Sequence, residues 1–140
     1  MQLKRTIPTL LACVAILFSG ASQAGAREDQ FAQYASTAKA ETPGFAGFSA
    51  ERGKTLHTQN FTGGKPDTPA CTTCHGKDTR STGRAPSGKT IEAMAVSVTT
   101  TRYTDPAKVE KWFKRNCTEV LGRVCTPQEK GDWLTFMLGQ

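Results

Sequence analysis

Apolar residues recur at helical spacing along most of this chain, and nowhere do they alternate as in a strand. Phe31, Tyr34, Ala35 and Ala38 predict a short amphipathic helix over Glu28 to Lys39, with acidic residues in its first turn. Thr42-Pro43-Gly44 breaks the chain, and Ser49 caps a second predicted helix that runs to about Phe61 with Leu56 on its inner side. Gly53 stands in the middle of that helix. It fits either a close crossing by another helix or an exposed, tolerated position, at a cost of up to about 1 kcal/mol relative to alanine.

The C-terminal third carries the strongest pattern. Asp105 caps a helix with Pro106 at its first position, where the missing N–H does no harm. Val109, Trp112, Phe113, Cys117, Val120 and Leu121 form its apolar stripe, and Gly122 ends it. Thr126-Pro127-Gln128-Glu129 is a capping box that opens a last helix with Trp133, Leu134, Met137 and Leu138 on one side, ending at Gly139. Between these parts, Thr62 to Pro69 reads as a loop. Gly76 to Thr90 is polar and aperiodic, and Ile91 to Val98 holds at most a helical turn. The expected fold class is all-α.

The N-terminus changes the length available for folding. Lys4 and Arg5 precede an apolar run from about Leu10 to Phe18 and then the small residues Ser19 to Ala26. This is the layout of a secretory signal peptide over 1–24, with cleavage after Ala24 or Ala26. The run is too short to span a bilayer, which takes roughly 20 residues, so no stable membrane insertion is expected. About 115 residues then remain, one small domain: a short helix and loop over 25–48, and the main domain over 49–140. Removing Lys4 and Arg5 takes the 18 basic residues to 16 against 12 acidic ones, a net charge of about +4. That mild excess suits an acidic protein partner and does not call for nucleic acid. The expected location is the periplasm.

Candidate chemistry centres on Cys71-Thr72-Thr73-Cys74-His75. Two thiols two residues apart, followed at once by histidine, have the spacing of a c-type haem attachment site. Each sulfur can add to one vinyl group, and the histidine is then held beneath the iron as its proximal ligand. One covalent haem c per chain is expected, and the all-α fold is built around it. Zinc binding by these residues and one more ligand is the structural-site alternative. A thioredoxin-type redox pair lacks the βαβ pattern it needs. With Cys13 inside the apolar run, Cys117 and Cys125 are left over, and in an oxidising compartment they form a natural disulfide.

The other face of the iron has several candidate ligands. Met94 is close in sequence to His75, Met137 lies on the apolar side of the last helix, and His57 reads as a solvated or capping residue. Asn116 is unusual because it stands seven residues after Val109, on a stripe that should face the core. A buried amide either finds a hydrogen bond or costs about 1–3 kcal/mol. Asn116 therefore either bonds a neighbouring backbone group or ligates the iron through its oxygen.

The run Lys111-Trp112-Phe113-Lys114-Arg115-Asn116-Cys117, with Val120 to Thr126 and Glu129-Lys130-Gly131-Asp132, resembles the sphaeroides haem protein family. Gly88-Lys89-Thr90-Ile91 and Arg102-Tyr103-Thr104-Asp105 fit as well, and the likeness covers about Ser49 to the C-terminus. These are small exported class I-like cytochromes c that bind oxygen. The resemblance implies Cys71 and Cys74 as thioether positions, His75 as proximal ligand, Asn116 as distal ligand and a Cys117–Cys125 disulfide beside it. It also implies partners, a dihaem cytochrome c and a membrane cytochrome b, and a small diatomic ligand. Glu92-Ala93-Met94-Ala95 departs from the proline-containing sequence usual in the family, which keeps Met94 among the candidates.

Three functions compete on this reading. One is an electron carrier whose weak distal asparagine is released on reduction, so that O2 or NO can enter. Another is an ordinary electron shuttle ligated by Met94. The third is a haem enzyme acting on a nitrogen oxide or peroxide, although Glu119, the nearest carboxylate, reads as solvated.

Overall fold

The computed structural model describes residues 21–140. The expected leader lies largely outside them. Among the described residues there are five helices: α1 (Ala21–Glu41), α2 (Ala50–Thr58), the single turn α3 (Thr72–His75), α4 (Pro106–Leu121) and α5 (Pro127–Leu138). The alanine-rich segment before Glu28 continues the first helix toward the N-terminus, so both expected cleavage points fall inside α1.

Local signals account for the helix ends. The Ser49 hydroxyl accepts from the Arg52 N–H, and Asp105 accepts from the Lys108 N–H. Gly122 takes the left-handed conformation at φ 74°. The Thr126 hydroxyl accepts from the Glu129 N–H while the Glu129 carboxylate accepts from the Thr126 N–H. Helix α2 stops at Thr58, short of the expected Phe61, because Phe61 instead donates its N–H to the Pro69 carbonyl at 2.7 Å.

A two-stranded antiparallel ladder, β1 (Gly83–Arg84) and β2 (Thr90–Ile91), lies inside the stretch read as aperiodic. Two residues per strand are too few to show alternation. Met94 and Ala95 both donate N–H to the carbonyl of the buried Thr79, and the expected helical turn is a tight turn closed by Val98 and Thr99 on the Ala95 carbonyl.

Helix α5 packs across α2 and α1. Gly53 allows the α2 crossing: a Cβ there would meet the Asp132 carbonyl oxygen at 2.0 Å, which settles its role as a close approach. The main core gathers Tyr34, Met94, Val109, Trp133, Leu134, Phe136 and Met137. Phe113 stands edge-on to Trp133 at 5.5 Å. A second cluster of Cys117, Val120, Leu121 and Cys125 is lined by Leu56, Phe61 and Phe113. Trp112, placed on the apolar stripe by its spacing, is 42% exposed, with the Arg115 guanidinium 5.4 Å from its ring centre.

Candidate haem site

Cys71 stands at the start of the single turn α3 and Cys74 within it, and the turn is closed by N–H donation from Cys74 and His75 to the Cys71 carbonyl at 3.3 and 3.1 Å. Positions three apart share a helix face, so this turn sets the two sulfurs side by side. Both thiols are free and half-buried. Burial pushes the Cys71 thiol up to about 11. The Cys74 thiol is raised by burial and then by the charge of Glu119. Strand β1 closes over this backbone: a Cβ on Gly83 would meet the Cys74 carbonyl oxygen at 2.2 Å.

The His75 ring is held neutral. Burial first, then the charges of His57 and Arg102, push it down to about 4. Its Nδ1 is buried without a hydrogen-bond partner among the described residues. A neutral imidazole beside two free thiols is the donor set that a covalent haem needs, so the residues present fit the group.

Helix α4 carries the distal candidate. Asn116, Trp112 and Glu119 share one flank of the helix by their three- and four-residue spacing. The charge of Glu119 acts on the Cys74 thiol, so this residue lies within electrostatic range of the cysteine turn. Asn116 is half-buried, and among the described residues no hydrogen bond engages its side chain. The backbone bond considered for it is not made. Cys117, directly after it, is joined to Cys125 by a disulfide, with both residues buried.

The loop before the motif docks on the same helix. Lys65 donates its N–H to the Glu119 carbonyl at 2.8 Å, and its ammonium meets the Glu119 carboxylate at 2.9 Å. Glu119, read from sequence as solvated, is thus ion-paired, with Arg115 a weaker second partner at 4.0 Å. Met94 and Met137 both belong to the main core. The Tyr103 hydroxyl donates to the Met94 carbonyl at 2.9 Å.

His57 differs most from its expected place. It is neither solvated nor a cap but 0% exposed, with its ring centre 6.4 Å from that of His75. Both of its nitrogens have partners. Sequence reasoning also missed Asp132, a buried carboxylate that accepts from the Ser49 N–H at 2.6 Å and from the Arg52 guanidinium at 2.7 Å through each oxygen. An aspartate amid the apolar positions of α5 was its one signal. Two surface clefts, one along Lys54, Lys77 and Arg80 and one along Arg52, Thr55 and Glu129, are lined by neither cysteine of the motif, nor by His75 or Asn116.

Known proteins bear on these residues. The family described as a domain of unknown function (DUF1924) matches residues 43–137. The cytochrome c-type protein SHP of Cereibacter sphaeroides is 54% identical over 91 residues, covering 65% of this chain and 70% of that protein. Cytochrome c'' of Methylophilus methylotrophus is 30% identical over 135 residues, covering 94% of each. Among solved structures, oxidised SHP, described as an oxygen-binding cytochrome c, superposes with TM-score 0.75 at 46% identity, over 81% of this chain and 96% of that one. Oxidised cytochrome c'' gives TM-score 0.72 at 29% identity, over 83% and 95%. A solution structure of cytochrome c'', concerned with the structural basis of haem-ligand detachment, gives 0.70 at 30% identity, over 81% and 93%. The chain belongs to the sphaeroides haem protein family, helical class I-like monohaem cytochromes whose haem c is bound covalently.

Proposed function

We propose that this chain is a periplasmic electron-transfer cytochrome whose distal ligand is released on reduction to admit a small diatomic molecule. Cys71 and Cys74 attach the haem, His75 is the proximal ligand and Asn116 the distal one. The observation that carries this reading is the Asn116 amide: half-buried, engaged by no hydrogen bond among the described residues, and directly before the disulfide-bonded Cys117.

The haem, when bound, supplies a one-electron ferric–ferrous couple and, in the ferrous state, affinity for O2, NO or CO. The Asn116 amide oxygen is neutral and hard, so it holds the ferric state better than the softer ferrous state. Reduction weakens its grip and opens that face. Without a methionine ligand, the reduction potential lies below that of His–Met cytochromes. Cys117, tied to Cys125, fixes the helix turn that carries Asn116.

The relatives support this reading. One is described as oxygen-binding, and another has a structure concerned with haem-ligand detachment. The mild positive charge suits acidic redox partners, and the family's dihaem cytochrome c and membrane cytochrome b are the proposed ones. Among the described residues no helix is long and apolar enough to cross a membrane. Export by the cleavable leader over 1–24 belongs to the same reading.

The test is a CO-difference spectrum of the reduced protein, wild type against Asn116→Ala. Wild type is expected to bind CO on reduction, and Asn116→Ala to be high-spin already when oxidised. A reduced wild type that stays six-coordinate and refuses CO overturns the proposal.

A further inference from the structure

We propose that His57 is a positioning residue for the proximal ligand, acting through the carbonyl of Gly76. This inference rests on His75 as an iron ligand and on no property of the distal side.

The argument begins with hydrogens. The Trp133 indole N–H has only a hydrogen to offer, and it points at His57 Nδ1 at 3.3 Å. Nδ1 must therefore present its lone pair, which places the ring hydrogen on Nε2. That nitrogen faces the Gly76 carbonyl oxygen at 3.3 Å, and a carbonyl can only accept. The two contacts demand the same neutral tautomer, and they form one chain: indole N–H to imidazole, imidazole N–H to carbonyl.

Both ends of the chain are anchored. Trp133 follows Asp132, whose carboxylate grips Ser49 and Arg52 at the start of α2. Gly53, where α2 and α5 touch backbone to backbone, is one helical turn before His57. At the other end, Gly76 directly follows His75 and closes α3 by donating its N–H to the Thr72 carbonyl at 2.9 Å. The rigid α2–α5 crossing thus reaches the peptide next to the proximal histidine.

The proximal ring needs such an anchor. Its own Nδ1 has no hydrogen-bond partner among the described residues, so its orientation comes from the backbone it hangs on and from packing. Metal-bound histidines are usually oriented by a bond to that second nitrogen. Here the bond is displaced by one residue, onto the Gly76 carbonyl. A merely packed core histidine would need neither partner to lie beside the haem turn. His57 bonds across from α5 to that turn, and its ring lies 6.4 Å from His75 with a tilt of 35°.

The test uses the haem-loaded protein. Replacing His57 with phenylalanine keeps a flat ring and removes both bonds, while His57→Gln keeps one donor and one acceptor. The readouts are the reduction potential and the pattern of haem-methyl proton shifts in the ferric protein, which follows the direction of the axial imidazole plane. His57→Phe is expected to change both, and His57→Gln to return them toward wild type. Wild-type potential and methyl pattern in a destabilised His57→Phe would show packing alone and overturn the proposal. If His57→Phe fails to fold, Trp133→Phe, which leaves His57 and an aromatic in place, is read by the same two signals: a change in both supports the proposal, and wild-type values overturn it. These signals exist whether or not reduction releases the distal ligand, so a wild type that refuses CO leaves this test standing.

Discussion

Gly53 and Asp132 meet backbone to backbone: a methyl group on Gly53 would stand 2.0 Å from the Asp132 carbonyl oxygen and 2.9 Å from the Phe136 Cβ. Neither neighbour is a flexible chain end. Gly53→Ala must therefore push α2 away from α5, although alanine favours the helix itself. The expected loss is about 1–3 kcal/mol, as for overpacked cores, read as a lower urea midpoint of the haem-loaded protein. An unchanged midpoint would show that the crossing can relax.

Asp132 fastens the same crossing. Its carboxylate takes a backbone N–H and two guanidinium hydrogens, and its side chain is 5% exposed against 50% for Arg52. Asp132→Ala frees Arg52 to water but strands the Ser49 N–H. Charge-assisted hydrogen bonds are worth about 1.5–3 kcal/mol each, so the thermal midpoint should fall clearly. Arg52→Ala should cost more than a typical surface pair, because it leaves the buried carboxylate without its counter-charge.

The Cys117–Cys125 bridge closes a loop with a sequence separation of eight. The chain-entropy estimate for so short a loop is roughly 2.5 kcal/mol. Replacing both cysteines with alanine should lower stability by that order in urea. The ferric spectrum should also gain a high-spin fraction, since Asn116 sits on the turn the bridge pins. A stability loss with an unaltered spectrum would confine the bridge to stapling.

Acid should destabilise the protein through His57. In the unfolded chain an imidazole takes a proton near 6.5, whereas burial lowers His57 below its ordinary value in the folded chain. Below about 6.5 the unfolded state thus binds more protons than the folded one. The contribution is complete above that pH and is lost as the pH falls below it. Urea midpoints of the haem-loaded protein compared at about pH 7.5 and pH 5 should drop at the lower value. A midpoint higher at pH 5 would contradict a neutral, buried His57.

What can be read from the sequence is local. The Asp105 and Thr126 caps, Pro106 and Gly122 mark the ends of α4 and α5 because a cap is satisfied by its own neighbours. The haem motif and the leftover cysteine pair follow from spacing and count. His57 escapes a local reading because its burial comes from Trp133, 76 residues away, and from the Gly76 carbonyl. Glu119 reads as solvated because Lys65, 54 residues earlier, supplies its partner. The β1–β2 ladder leaves no pattern because each strand is two residues long. Asn116 stands out by position, but periodicity alone does not say whether its amide is already engaged.

The crossing of α2 on α5 also bears on how the chain closes on itself. Its two halves, Ala50–Thr58 and Pro127–Leu138, are separated by the whole haem-attachment segment. Closing so long a loop costs entropy before any contact rewards it, so this pairing weighs on the folding rate far more than the local helix caps do. Once α2 and α5 have met, the cysteine turn lies inside a closed loop fastened at both ends by one helix crossing.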